Sequence, residues 1–189
     1  MKKILLIIIM TLCNVYQAQT QFISLELMSM CVANPVNCVE GYDYVKDVNH
    51  LLDKYTGTWK GTLDGKSYEF NFVKKEKFAN EYSDLKWDLL IGRVRVTNQN
   101  GVVEYDDFNK SDNDANWGTV LQSNLKTYLM AFSGNKIGCN DMGYLYLQEP
   151  SPANKMKIDF YQIADIVTKD CTNAQTTIPV NKIIYLTKQ

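Results

Sequence analysis

The stretch "DKYTGTWKGT" at residues 53–62 decides how the chain is read, because the periodicity of the sequence changes across it. Upstream, in "YVKDVNHLLDKY" (residues 44–55), Val45, Val48, Leu51, Leu52 and Tyr55 recur at three- and four-residue spacing, with Lys46, Asp47, Asn49 and Asp53 on the other side. That spacing predicts an amphipathic helix with Asp43 as N-cap and Gly57 as its stop. Downstream the period is two. Tyr68, Phe70 and Phe72 alternate with Ser67, Glu69 and Asn71, as in a half-buried strand.

Beyond that strand the alternation continues in short runs. "WDLLIGRVRVTNQNGVVEY" (residues 87–105) reads as a hairpin turning at Asn100-Gly101, with Gly92 marking a bulge or a close backbone approach. A polar loop over residues 107–116 follows. "WGTVLQ", "LKTYLMAF", "GYLYLQ", "KMKIDFYQI" and "KIIYLTK" are further strands, and residues 165–181 form a long connection. The expected fold is therefore all-β: a single antiparallel up-and-down barrel of roughly 8–10 strands with a short N-terminal helix.

The ends of the chain and its cysteines point to export. Lys2 and Lys3 precede an apolar run over residues 4–12 and a polar stretch over 14–19, the order of a secretory signal. The run is far shorter than the ~20 residues of a membrane span. Residues 1–18 are assigned to the signal, 19–42 to an irregular lead-in and 43–189 to the barrel. Cys13 follows Leu12 and Cys31 follows Met30, so neither has the small preceding residue that a lipid anchor needs. Four cysteines remain, which an exported chain uses first for disulfides. Three pairings are formally open. Cys31–Cys38 with Cys139–Cys171 is the simplest. The expected location is secreted or periplasmic, without a lipid anchor. Removing Lys2 and Lys3 takes the net charge from -1 to -3, which excludes nucleic acid as an evident partner.

The quoted stretch also resembles a known pattern. A helical run leading into G-x-W is similar to the start of lipocalins and fatty-acid-binding proteins. The resemblance implies that Trp59 packs at the closed end of the barrel, beside Tyr55, and that Gly57 lets the chain turn into the first strand. It also implies a basic residue on the final strand near the tryptophan. There "NKIIYLTKQ" offers Lys182 and Lys188 and no arginine. Through "LLDKYTGTWKGT", "WDLLIG" and "LTKQ", the chain further resembles an uncharacterised family of small secreted bacterial proteins.

Candidate sites follow from side chains expected to face inward. Phe70, Phe72, Tyr128 and Tyr146 are the expected lining of a cavity for a small apolar or amphipathic ligand. Large inward residues, including Met156 and Phe160, are of a size to fill the interior, which keeps open the alternative of a secreted interaction or inhibitor module with a side-chain-filled barrel; the binder is the preferred reading. Arg93 and Arg95 share one face of a strand and would grip a carboxylate if that face turns inward; both faces are equally apolar, so the direction stays open. His50, the only histidine, has no nucleophile motif beside it. Asp112, Asp114 and Asn116 alternate as in a calcium loop, but Trp117 and Ser123 stand where glycine and glutamate are needed. No enzyme activity, cofactor or metal is expected.

Overall fold

The computed structural model describes residues 21–35, 38–79, 83–136, 139–163, 167–168, 170–171 and 175–189. The export signal expected at residues 1–18 lies outside them. Strand β1 (Phe22–Ser24) leads into helix α1 (Leu25–Ala33), then strand β2 (Tyr44–Lys46) and a single 3-10 turn (Asp53–Tyr55). The barrel strands begin with β3 (Gly57–Leu63), β4 (Lys66–Phe78) and β5 (Lys86–Thr97). A short β6 (Val103–Asp106) precedes β7 (Asn116–Leu121), β8 (Thr127–Ser133) and β9 (Met142–Gln148). Strands β10 (Lys155–Gln162) and β11 (Ile183–Lys188) complete the chain.

Eight strands, β3-β4-β5-β7-β8-β9-β10-β11, pair antiparallel in sequence, and β11 returns to β3 to close an up-and-down barrel. The hairpin read from Asn100-Gly101 is real: Gly101 takes a φ of 78°, and β6 folds back on β5 with Val96 opposite Tyr105. Inward positions alternate along each strand. Trp59, Phe70, Phe72, Tyr128, Met130, Leu145, Ile158 and Leu186 are all buried and form one core.

The weakest seam lies between β5 and β7, where only Ile91↔Trp117 and Gly92↔Asn116 pair. Side chains take over the missing ladder bonds. Tyr128 Oη accepts from Leu90 N at 3.2 Å, Asn116 Nδ2 donates to Gly92 O at 3.2 Å, and buried Asp107 accepts from Val94 N. Gly118 is required there, because a Cβ would fall on the Tyr128 ring and hydroxyl. Gly92, expected to mark a bulge or close approach, stays in regular register; Met130 and Phe72 occupy the space its side chain would need.

The N-terminal region corrects the sequence reading. The helix expected over residues 44–55 is absent: Tyr44–Lys46 is a strand, parallel to β1 and to the start of β5. Buried Asp47 decides the outcome, accepting from Leu51 N at 2.8 Å and Leu52 N at 3.1 Å, and His50 turns the chain with a φ of 56°. An aspartate that binds nearby backbone N–H groups stabilises a turn at the expense of a helix. The helix lies instead at Leu25–Ala33, inside the lead-in assigned as irregular. Ser24 caps it by accepting from Leu27 N, and Ser29 Oγ accepts from Leu121 N, fastening it to the end of β7. Both expected disulfides form, Cys31–Cys38 and Cys139–Cys171.

Candidate functional site

The two ends of the barrel differ in chemistry. At the closed end Trp59 is fully buried and its Nε1 donates to Tyr55 O at 2.8 Å. Lys188 pairs with Trp59 across β11 and β3, and its Nζ lies 5.3 Å from the indole centroid. Gly57, at φ 110°, leaves room for the Lys188 chain. Of the two basic residues on the last segment, Lys188 is therefore the one at the tryptophan. A carboxylate cluster braces the same end: Lys74 Nζ bridges Asp47 at 2.8 Å and Asp53 at 2.7 Å. Asp88 accepts from Tyr44 Oη at 2.6 Å and from two backbone N–H groups.

The interior is packed with side chains. Phe70 and Phe72 stack at 5.9 Å, Phe132 meets Phe160 edge-on at 5.6 Å, and Tyr55 lies 6.0 Å from Tyr128. Phe70, Phe72 and Tyr128 are thus core residues, as are Met156 and Phe160. The other three candidates face outward. Tyr146 stands between inward Leu145 and Leu147. Arg93 pairs with Asp112 at 2.9 Å and donates to Lys110 O; Arg95 pairs with Asp106 at 2.8 Å beneath the Phe108 ring. The arginines hold the 107–116 loop against the barrel wall. The calcium-like alternation is also absorbed there: Asp112 binds Arg93 and Lys75, Asp114 accepts from Ser111, and buried Asn116 bonds Asp107. His50 lies on the surface, 3.3 Å from Asp53. Among the described residues, no group of three His, Cys, Asp or Glu side chains is placed to hold a metal ion.

The open end is concave. Two adjoining clefts of about 520 and 650 Å³ share Lys66, Gln175 and Thr176. The β3–β4 turn, the start of β6, the β8–β9 loop and the segment before β11 build their walls. Ile178, fully buried, closes the core beneath them, and Thr177 fastens that segment by donating its N–H (2.9 Å) and hydroxyl (2.6 Å) to buried Asp141. The Cys139–Cys171 bridge ties the same two loops. Charges ring the opening as Lys66–Glu104 (2.7 Å), Lys182–Asp64 (2.6 Å) and nearby Lys136. The Lys66 and Asn98 hydrogen bonds hold Glu104 below the usual carboxylate range.

Tyr68, one of the alternating residues that mark β4 as a half-buried strand, is the residue of interest here. It is 3 % exposed and lines the larger cleft, yet its hydroxyl bonds to no described residue. Burial, with the charges of Asp64 and Glu104, pushes its pKa up to about 12, so the hydroxyl stays a donor at any physiological pH. Its alternation on β4 marked it as inward, but the level of the barrel mouth was set by the β3–β4 turn. No sequence signal carried that.

A family model described as a family of unknown function (DUF6705) matches residues 1–189, the whole chain. No curated protein and no solved structure matches it.

Proposed function

We propose, for a chain that belongs to the DUF6705 family and takes no function from it, an exported binder that holds a small amphipathic carboxylate at the open end of its barrel. The observation that carries this reading is Tyr68: a buried side chain whose hydroxyl bonds to no described residue, on the wall of a cleft of about 650 Å³. Ligand sites commonly span ~300–1,000 Å³ and set a few polar groups among apolar ones. Lys66 and Lys182 supply positive charge, Tyr68 a neutral donor, and Pro179 and Val180 an apolar wall. The lysines are held by exposed ion pairs, worth only about 0–1 kcal/mol, so an incoming carboxylate displaces their partners at little cost. The reading moves the ligand from the interior to the rim, because Phe70, Phe72 and Tyr128 already fill the core.

Two disulfides fit an oxidising compartment, which supports export. Among the described residues, no helix is long and apolar enough to cross a membrane. The proposal is of a binder and not an enzyme, because the buried carboxylates Asp47, Asp88, Asp107 and Asp141 are all engaged by backbone N–H groups. Calorimetric titration with hexanoate, and with hexanamide as the neutral control, tests the reading. Binding of hexanoate alone, weakened at least about tenfold in Tyr68→Phe, is expected from loss of a hydrogen bond to a charged group. Equal heats for acid and amide, or no heat for either, overturn it. A second reading, an interaction module, is favoured by the packed interior together with four tyrosines on the outer face of β9, β10 and β11.

A further inference from the structure

Those tyrosines are unevenly placed. The outer faces of β3 and β4 carry Thr58, Lys60, Thr62, Glu69 and Asn71, a solvated and charged surface. Across the barrel, β9 presents Tyr144 and Tyr146, β10 presents Tyr161, and β11 presents Ile183 and Tyr185. Tyr161 and Tyr185 are 62 % and 65 % exposed, far more than a packing role requires. A groove of about 400 Å³ lies between Tyr146, Tyr161 and the start of β11. Its floor is Asp159, which stands opposite Tyr146 on one side and Ile183 on the other. Tyr146 and Tyr161 meet at 6.4 Å and 75°, forming an aromatic corner beside that carboxylate. Asn181 and Lys182 make the other rim.

From this arrangement we infer that the outer face of β9–β11 is a saccharide-binding site, with Tyr161 as the stacking platform and Asp159 as the acceptor of sugar hydroxyls. Asp159 has no ion pair among the described residues; partial burial pushes its pKa up, and a hydrogen bond from the Gln148 side chain offsets this only in part. A carboxylate in that position asks for neutral donors. An apolar ligand would leave its lone pairs beyond the Gln148 bond without donors, and a proline-rich peptide offers mainly carbonyl acceptors, since proline has no N–H. A sugar ring supplies hydroxyl donors at its edge and an apolar C–H face for a tyrosine ring. Tyr185, opposite Lys157, lies four residues further along the sheet than Tyr161, or about 13 Å at ~3.3 Å per residue. The two rings are far enough apart to engage separate units of an oligosaccharide.

Saturation-transfer NMR and titration with maltohexaose, cellohexaose and chitohexaose test the site on the disulfide-bonded protein. At least one hexasaccharide binds, Tyr161→Ser weakens it tenfold or more, and Asp159→Asn does the same without lowering the melting temperature. Tyr68→Phe leaves saccharide affinity unchanged, so this result stands or falls apart from the carboxylate site. Silence from all three sugars overturns the inference. So does binding that ignores both substitutions, or a proline-rich decapeptide that occupies the groove in their place.

Discussion

Trp59 makes three kinds of contact at once: full burial in the core, an indole N–H bond to Tyr55 O, and a lysine over its face. Trp59→Ala removes all three and leaves a cavity at the base of the barrel, so a loss of about 3–5 kcal/mol is expected in urea titration. Lys188→Met keeps the aliphatic stem and removes only the charge, and the same titration should show a loss of about 0.5–2 kcal/mol, the range of a cation–π contact. Asp159 gives a prediction of opposite sign. Its folded-state pKa is raised, so over the carboxylate range the native state holds the proton longer than the unfolded chain does. Stability from this residue is full at acid pH and declines as pH rises. Asp159→Asn should therefore raise the melting temperature slightly at pH 7 and leave it unchanged near pH 3. A lower melting temperature at pH 7 would show that the carboxylate is satisfied within the protein.

At the scale of elements, the strands were legible and the helix was not. The period-two runs of β4, β5 and β7 to β11 are set by a buried interior on one side and solvent on the other, and that alternation is written directly in residue types. Residues 44–55 show a helical spacing because Val45, Leu52 and Tyr55 are all buried, but a strand, a turn and a 3-10 turn place them there. Asp47 and the parallel pairing with β1 and β5 outweighed local propensity, and neither long-range partner is visible in the segment itself. Helix α1 was missed for the converse reason: Leu25, Leu27, Met28, Met30 and Val32 surround it, giving no clean apolar stripe. The arginine faces were equally apolar in sequence, and only the 107–116 loop outside them settled their direction. That loop yields a pH prediction. Hydrogen bonds from Arg93 and Lys75 hold Asp112 below the usual carboxylate range. Partial burial pushes Asp106 up, but the Phe108 N–H and Arg95 outweigh it, so Asp106 is also lowered. Lowered pKa values mean that their stabilisation is present above the ordinary carboxylate range and is lost as pH falls below about 4. The Trp117 indole N–H, which donates to Asp112 O at 2.8 Å, reports the release. Its NMR resonance should shift and exchange faster on acidification while that of Trp59 holds; parallel changes in both would mean global unfolding instead.

For the whole molecule, closure of the barrel and fastening of its mouth are separate matters. Every barrel strand has neighbours on both sides, so the ladder itself does not depend on either disulfide. Cys139–Cys171 instead joins the β8–β9 loop to the connection before β11, with a sequence separation of 32, and Asp141–Thr177 makes a second tie between the same loops. The chain-entropy model gives about 3–4 kcal/mol for a loop of that length and about 2.5 kcal/mol for the Cys31–Cys38 loop, whose sequence separation is 7. The paired substitution Cys139→Ser/Cys171→Ser should therefore lower stability more than Cys31→Ser/Cys38→Ser does, while leaving the far-ultraviolet circular dichroism of the barrel intact. Its effect on the mouth should be larger than its effect on the wall. With one of two ties gone, the segment carrying Ile178 lifts more often from the core, and Tyr68, which lines the same cleft, becomes more reachable. Nitration by tetranitromethane measures this: Tyr68 should react faster in the 139/171 variant than in the intact protein, with Tyr161 and Tyr185 reacting equally in both. Unchanged Tyr68 reactivity, or collapse of the barrel signal, would place the disulfide in the stability of the whole fold and not in the fastening of its open end.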